Sequence, residues 1–419
     1  MQVLTKLNTT KLLWAFAISQ LLVISIYLGH RAETFVTFDH FLQSVKYSTL
    51  VLLVISILIA INQRDQLLKF GKTKFIFSAQ ILILYFTMII HTDIKAINSP
   101  TILLMLILSL LIFTQPISVK EINKLVIFVA IINFILVVAQ LTEVIPVAQD
   151  NVRVGLGIVS NRPTGFLFNA FAMSYASVIT LLVCLYFLKK KSLMWLNWIG
   201  VISSGISVLF SGTRTPLLLI LVFGLIIIVQ YSSLVKKYWK IIVYFVSGAL
   251  VLFPIFTILV GELTNRESLA NLNGRTQLWT CVTSRWEEFI PFGVGVQAAF
   301  PNGFCSDDEW FSKLRHPENM FLLNYVEAGI IGFIGLVALF VIALINSAHA
   351  LKKGSSLALG ITGTFLLSSL FYVPLFHYLP FLEGRTANRG VFNFFFLTMI
   401  WMSILALTTA GKTQQQTRK

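Results

Sequence analysis

Apolar runs of about 15–25 residues recur from one end of this chain to the other. Each is long enough, or nearly so, to cross the roughly 30 Å hydrocarbon core of a bilayer. They fall near 12–29, 45–62, 75–91, 100–114, 125–142, 166–188, 193–210, 216–230, 240–260, 319–347, 356–376 and 391–409 of 419 residues. The runs are continuous rather than alternating, which excludes barrel strands. The expected fold is therefore an all-α polytopic membrane protein of about twelve spans, one membrane domain over 1–419. Only 12% of residues are charged, against about 25% in soluble domains. The run at 12–29 has no small-residue cleavage site after it and reads as a first span rather than a signal peptide.

The net charge of +15 could suggest nucleic acid. Its distribution points instead to topology. With the N-terminus inside, the inner segments hold 19 basic residues against Asp65 and Glu121 alone, and the outer side holds 13 basic and 15 acidic residues. That excess on one side puts both termini in the cytoplasm. The two basic residue types also divide. The inner segments carry 17 Lys and 2 Arg, the outer ones 3 Lys and 10 Arg. Topogenic charge is indifferent to this choice. A phosphate-gripping site is not, because the guanidinium fork is planar, permanently charged and bidentate. Most outer arginines can pair with outer acids. Arg214, in SGTRTP, has no acid near it in sequence. A charge held in a short turn against hydrocarbon marks a functional candidate.

Residues 261–318 form the long outer loop, too short for a separate enzyme domain but ample for a lid. Within it, NGRTQLWTCVTSRWEEFIPFGVG reads as one amphipathic helix, with Asn273 as N-cap and Trp279, Val282, Trp286 and Phe289 at helical spacing. Pro291 ends it, and Gly293 and Gly295 give a turn. Such a helix suits the membrane interface, where tryptophan is favoured. Arg275 opens it, and Arg285 lies further along. The Asp307, Asp308, Glu309 run reads as solvated loop rather than a cation site, and no zinc spacing is present. Cys184 is mid-span. Cys281 and Cys305 share the outer loop, where a disulfide is chemically permitted, but sequence leaves their distance open.

In RHPENMFLLNYVEAGIIG, a polar loop becomes a span within a few residues. Pro317 suits a first helical position and Glu318 a first turn, which puts His316 at or near the N-cap. The positive helix end disfavours imidazolium, so His316 is expected neutral, as a general base requires. Glu327 lies about 16 Å further along by helical rise, too far to orient the imidazole, and fits a polar contact between helices. Gly329, Gly332 and Gly335 would let a neighbouring helix approach closely. Outer arginines, a neutral histidine and a membrane fit transfer of a glycan from a lipid diphosphate. The arginines would neutralise the leaving group in place of a metal, and the base would activate the acceptor hydroxyl.

The order of these elements resembles the O-antigen ligase and polymerase family of bacterial envelopes. It runs SGTRTPLLL, a long loop opening with Gly-Arg and a following Trp, PFGVG, His-x-x-Asn-x-x-Leu into a helix, then E-x-G-x-x-G. NRPTGFLFNA at 161–170 is similar to a segment upstream of that core. The resemblance covers roughly 160–335; the flanks match only as a hydrophobic profile. It implies a helical, metal-independent, inverting glycosyltransferase without cofactor, in the bacterial inner membrane with its site on the periplasmic side. The implied donor is an undecaprenyl-diphosphate-linked glycan. The acceptor is a lipid A core sugar or, for a polymerase, the growing glycan chain. Essential arginines and histidine fall on Arg214, Arg275 and His316. Arg162, Arg285, Asn319, Arg385 and Arg389 are further substrate-binding candidates. The family commonly has His-Asn or His-Ser adjacent; here Pro317 and Glu318 intervene before Asn319. R-x-x-x-L at Arg214 to Leu218 leans towards ligase. A flippase or secondary transporter would instead call for ionisable residues at midplane in several spans. A structural envelope subunit would show no dependence on Arg214 or His316.

Overall fold

The computed structural model describes residues 38–62, most of 74–83, 100–114, 118–145, most of 152–165, 170–224 save Gly212, 275–294, 319–352 and 355–371, with single positions between 10 and 18 and at 64, 401 and 404. Its helices are α1 (Phe38–Asn62), α2 (Pro100–Thr114), α3 (Val119–Leu141), α4 (Ala170–Lys189), α5 (Met194–Phe210), α6 (Arg214–Leu219), α7 (Arg275–Ser284), α8 (Met320–Lys352) and α9 (Leu357–Phe371). Residues 74–83 are helical where described. The expected helical architecture is present. Among the described residues, two helices, Lys120–Leu141 and Met320–Leu351, are long and apolar enough to cross a membrane. The twelve-span count is not established by the described residues; the span expected at 240–260 lies outside them.

One element was not expected. Residues Val152–Gly155 (β1) and Ile158–Asn161 (β2) pair as an antiparallel ribbon, with Val152 opposite Asn161 and Gly155 opposite Ile158. The stretch VRVGLGIVSN is rich in β-branched residues around two glycines, and that composition suits a tight hairpin.

The bundle centres on α3, α4 and α5, which pack on one another, with α9 against α4 and α8 against α9. α3 starts where the Ser118 side chain accepts the Glu121 N–H at 3.3 Å. α5 shows why this packing belongs in lipid. Its buried face carries Asn197, Gly200, Ser203, Ser204 and Ser207. Its exposed face carries Trp195, Trp198, Ile199, Ile202, Leu209 and Phe210. In water this polarity would be inverted. In hydrocarbon, small and polar residues let helices approach and bond across the seam while apolar ones face the acyl chains. Gly200 sits directly against the Cys184 sulfur of α4, leaving no room for a side chain there. At the other end of the chain, Trp401 stacks on Phe365 at 5.0 Å and its ring N–H donates to Thr362 at 3.0 Å.

Candidate functional site

The turn that delivers Arg214 is shorter than expected. α5 ends at Phe210 and α6 begins at Arg214 itself, so the arginine is the first residue of a helix rather than a residue of the turn. The turn is closed from inside. Ser211 Oγ donates to the Val208 carbonyl at 2.6 Å, lies 2.6 Å from the Thr213 hydroxyl, and accepts the Thr213 N–H at 3.2 Å. Ser211 and Thr213 are both buried. Local hydroxyl bonds of this kind compete with further helix and end α5. α6 then widens into a π-helical turn at Ile220–Gly224, where Phe223 lies against Gly363 of α9.

The amphipathic stretch that follows Asn273 is not one helix. α7 ends at Ser284, and after Arg285 the chain tightens into a 3-10 turn, Trp286–Phe289. Thr283 and Ser284 turn their hydroxyls back onto the carbonyls of the last turn, and Arg285 takes φ −112°, ψ 25°. Such backbone-directed hydroxyls weaken a helix end. Val282 and Phe289 are fully buried while Trp286 is exposed, because the break rotates Trp286 off the face that the periodicity assigned to it. The Arg285 fork is engaged by Glu288 at 2.6 Å and 2.7 Å. Those hydrogen bonds raise the guanidinium above its ordinary pKa. Asn273 and Gly274 lie outside the described residues, as does Gly295.

Beyond Phe289 the chain forms a backbone clasp onto α8. The Gly293 N–H donates to the Phe289 carbonyl at 2.8 Å, and the Val294 N–H donates to the Val326 carbonyl of α8 at 2.9 Å. α8 itself is broken at Gly329, which has φ 65° and ψ −161°. Two left-handed glycines face each other across this joint. Gly293, with φ 73°, lies against the Glu327–Ala328 backbone, and Gly329 lies against the Pro291 carbonyl and the Gly293 nitrogen. Only glycine adopts such φ values freely while admitting another backbone this close. Side chains extend the joint. The Tyr325 hydroxyl donates to the Trp286 carbonyl at 2.6 Å, and Phe289 packs edge-on against the Tyr325 ring at 5.8 Å. The element that opens with Arg275 is thereby fixed to the N-terminal part of α8.

α8 begins later than the Pro317 signal suggested. Its first residue is Met320, and Asn319 is the cap: Asn319 Oδ1 accepts the N–H groups of Phe321 at 2.9 Å and Leu322 at 3.1 Å. A carboxamide oxygen that reaches two free N–H groups satisfies the helix start, so His316 precedes the cap by three residues in sequence rather than occupying it. Glu327 is buried beside the clasp. Of the three glycines expected to admit a helix, Gly335 does so: Gln80 packs against it, and Gln80 Nε2 donates to Asn324 Oδ1 at 3.0 Å and to the Gly332 carbonyl at 3.2 Å. Gln80 thus bridges both sides of the Gly329 break. Gly329 serves the clasp instead, and the space at Gly332 is filled by Ala328 and Asn324 of its own helix.

His316, Arg162, Arg385, Arg389 and the Asp307–Glu309 run lie outside the described residues; Arg214 and Arg275 are placed by backbone as the first residues of their helices. Cys281 is disulfide-bonded and Cys184 is free and buried; Cys305, outside the described residues, is the remaining cysteine of the chain's three. Among the described residues, no three His, Cys, Asp or Glu side chains cluster in a way that could hold a metal. Periodicity missed the buried amides Gln80, Asn133 and Gln140. Their signal was present as single carboxamides inside otherwise apolar runs, which need partners in a membrane.

Residues 199–337 match a family model described as O-antigen ligase. That segment runs from within α5, through Arg214 and the α7 element, to just beyond the Gly329 break. No curated protein matches the chain.

Proposed function

We propose that this chain, whose residues 199–337 match the O-antigen ligase family model, is a member of that family and transfers a glycan from an undecaprenyl-diphosphate carrier to an acceptor sugar hydroxyl at the outer face of the bacterial inner membrane. That match supports a membrane protein with glycosyltransferase-like activity in O-antigen polysaccharide biosynthesis, acting on a lipid-linked glycan donor. The finer reading rests on one observation above all: the element opening at Arg275 is clasped by backbone and side chains to α8, the helix that comes after His316. That joint supports a site in which a donor-gripping arginine and a base act from one rigid unit.

The steps follow from the residue chemistry. Arg214 and Arg275 grip the two phosphates with planar forks and neutralise their charge. A neutral imidazole nitrogen of His316 takes the proton of the acceptor hydroxyl. The acceptor oxygen bonds to the anomeric carbon from the face opposite the diphosphate. The bond from that carbon to the phosphate oxygen breaks, and undecaprenyl diphosphate leaves with the electron pair. The anomeric configuration inverts, and the acceptor is a lipid A core sugar. The single membrane domain holds both termini in the cytoplasm and the 261–318 loop outside, and a disulfide at Cys281 supports that sidedness because the cytoplasm keeps thiols reduced.

Two tests bear on this reading. Alkaline phosphatase fused near Ser306 should be active and green fluorescent protein fused after Lys419 should fluoresce. The opposite pair of results would put the site in the wrong compartment. Arg214→Lys and Arg275→Lys keep the charge but lose the fork, so each should cut transfer by roughly tenfold or more, the value of about 1.4 kcal/mol of lost phosphate contact. Full activity in both lysine variants, assayed with purified lipid-linked donor in nanodiscs, would show that charge alone suffices and would remove the fork from the mechanism.

A further inference from the structure

On α3, Asn133 and Gln140 stand seven residues apart, two turns on one face. Both are buried, Asn133 in the seam among α3, α4 and α5. The Gly165 N–H donates to Gln140 Oε1 at 2.9 Å. Gly165 has φ 54°, and Asn133 Oδ1 fills the space where a side chain would stand. The other end of the same carboxamide reaches across the bundle. Asn133 Nδ2 donates to Ser177 Oγ of α4 at 3.4 Å and to Ser207 Oγ of α5 at 3.2 Å. Ser207 lies one turn before Ser211, whose hydroxyl closes the turn into Arg214.

Three helices of a lipid-embedded bundle can pack through apolar and small residues alone, and buried amides need full partnering to be tolerated. Here they gather at the end of the bundle that carries the α5–α6 turn. The hub joins the seat of Gly165, in the stretch following β2, to Ser207 of α5, whose carbonyl accepts the N–H of Ser211, one turn on, and the Ser211–Thr213 hydroxyl pair immediately precedes Arg214. We propose that Gln140 and Asn133 are positioning residues for the transfer reaction, holding the segment at Gly165 and the Arg214 turn in one fixed relation for grip on the donor diphosphate. The proposal rests on the reading of Arg214 as a donor-binding residue. Neither amide touches the reacting atoms; both act through backbone placement, where an ångström of misplacement can cost about 10²-fold.

The experiment uses the full chain in nanodiscs. Gln140→Met keeps length and volume but removes the acceptor. Gln140→Glu keeps an acceptor oxygen, because burial favours the neutral acid. Hydrogen exchange of the peptide containing Gly165 and steady-state transfer against donor and acceptor are measured separately. In Gln140→Met, exchange should quicken, and donor KM should rise roughly tenfold, about 1.4 kcal/mol, with acceptor KM unchanged. Gln140→Glu should restore both towards wild type. Ser207→Ala, which severs the link to α5 with little change in volume, should move donor KM in the same direction by a smaller factor and guards against misfolding of the Met variant. Unchanged exchange in Gln140→Met would show that the seat does not depend on the amide. Faster exchange with unaltered donor KM would show a seat without bearing on the reaction; either overturns the proposal. If the wild-type chain transfers nothing from a diphosphate-linked donor, the functional reading itself fails and the proposal falls with it, a result distinguishable because exchange at Gly165 still responds to Gln140.

Discussion

His316→Ala is expected to leave a membrane-inserted protein that binds donor and barely turns over. General-base help is worth about 10²–10⁴-fold in rate, roughly 3–5 kcal/mol. The alanine should lower kcat by that factor with donor KM little changed, because the imidazole acts on the acceptor proton and not on the diphosphate. His316→Gln keeps a hydrogen-bonding side chain without basicity and should do little better. Single-turnover transfer with saturating purified donor separates binding from chemistry. Transfer by the alanine variant within a few-fold of wild type would reduce His316 to an interfacial residue and move the base elsewhere. The structure sharpens the choice of control. Asn319 caps α8 through its own carboxamide oxygen, so Asn319→Ala removes the cap and should cost about 1 kcal/mol of helix stability. Because Asn319 is also a substrate-binding candidate, fraying is read directly: hydrogen exchange of the peptide that opens α8 should quicken in Asn319→Ala and stay as in wild type in His316→Ala, which would make the lost rate chemical.

Gly329→Ala should be nearly as damaging, for a reason that involves no chemistry at all. The position has φ 65°, and a methyl group there would run into the Pro291 carbonyl. With ψ −161° this backbone is essentially restricted to glycine and costs another residue roughly 1–3 kcal/mol by itself, and the clash adds to it. The clasp must open, or α8 must straighten. Either way the Arg275 element shifts against the helix that comes after His316, and a displacement of about 1 Å can cost on the order of 10²-fold in kcat. Gly293→Ala should behave alike, since its φ is 73° and it faces the Glu327–Ala328 backbone. Gly205→Ala is the control, having nothing within 4 Å of an added methyl. Wild-type kcat in properly inserted Gly329→Ala would show that the relation between α7 and α8 is immaterial to transfer.

The clasp is also where reading by periodicity stopped. Gly329, Gly332 and Gly335 carry one spacing and one expectation, a helix-packing stripe, yet each meets something different. Gly335 receives Gln80, Gly332 is crowded by its own helix, and Gly329 breaks the helix to admit a loop. Nothing in the local sequence distinguishes them, because the deciding partners are Gln80 and Pro291, distant in the chain or on another element. The same holds for Arg285. Its neighbours repeat at helical intervals, but the hydroxyls of Thr283 and Ser284 and the burial of Phe289 against Tyr325 end the helix before it.

The sequence by itself determined the membrane class, the helical architecture, and the order of motifs that the family match at 199–337 supports. These come from hydrocarbon thickness and from the obligation of every backbone N–H and C=O in lipid to be paired within its own segment. Only the tertiary structure decided that Asn319 and not the Pro317 position starts α8, that Arg214 heads a helix, and that a pair of positive-φ glycines joins the Arg275 element to α8. It alone showed that lone amides in apolar runs find one another, as Gln80 does Asn324. The physical reason is common to all of them. Local pattern reports which face of a helix is apolar, but a cap, a break or a buried amide is settled by whichever partner comes within hydrogen-bond reach, and that partner is chosen by the fold.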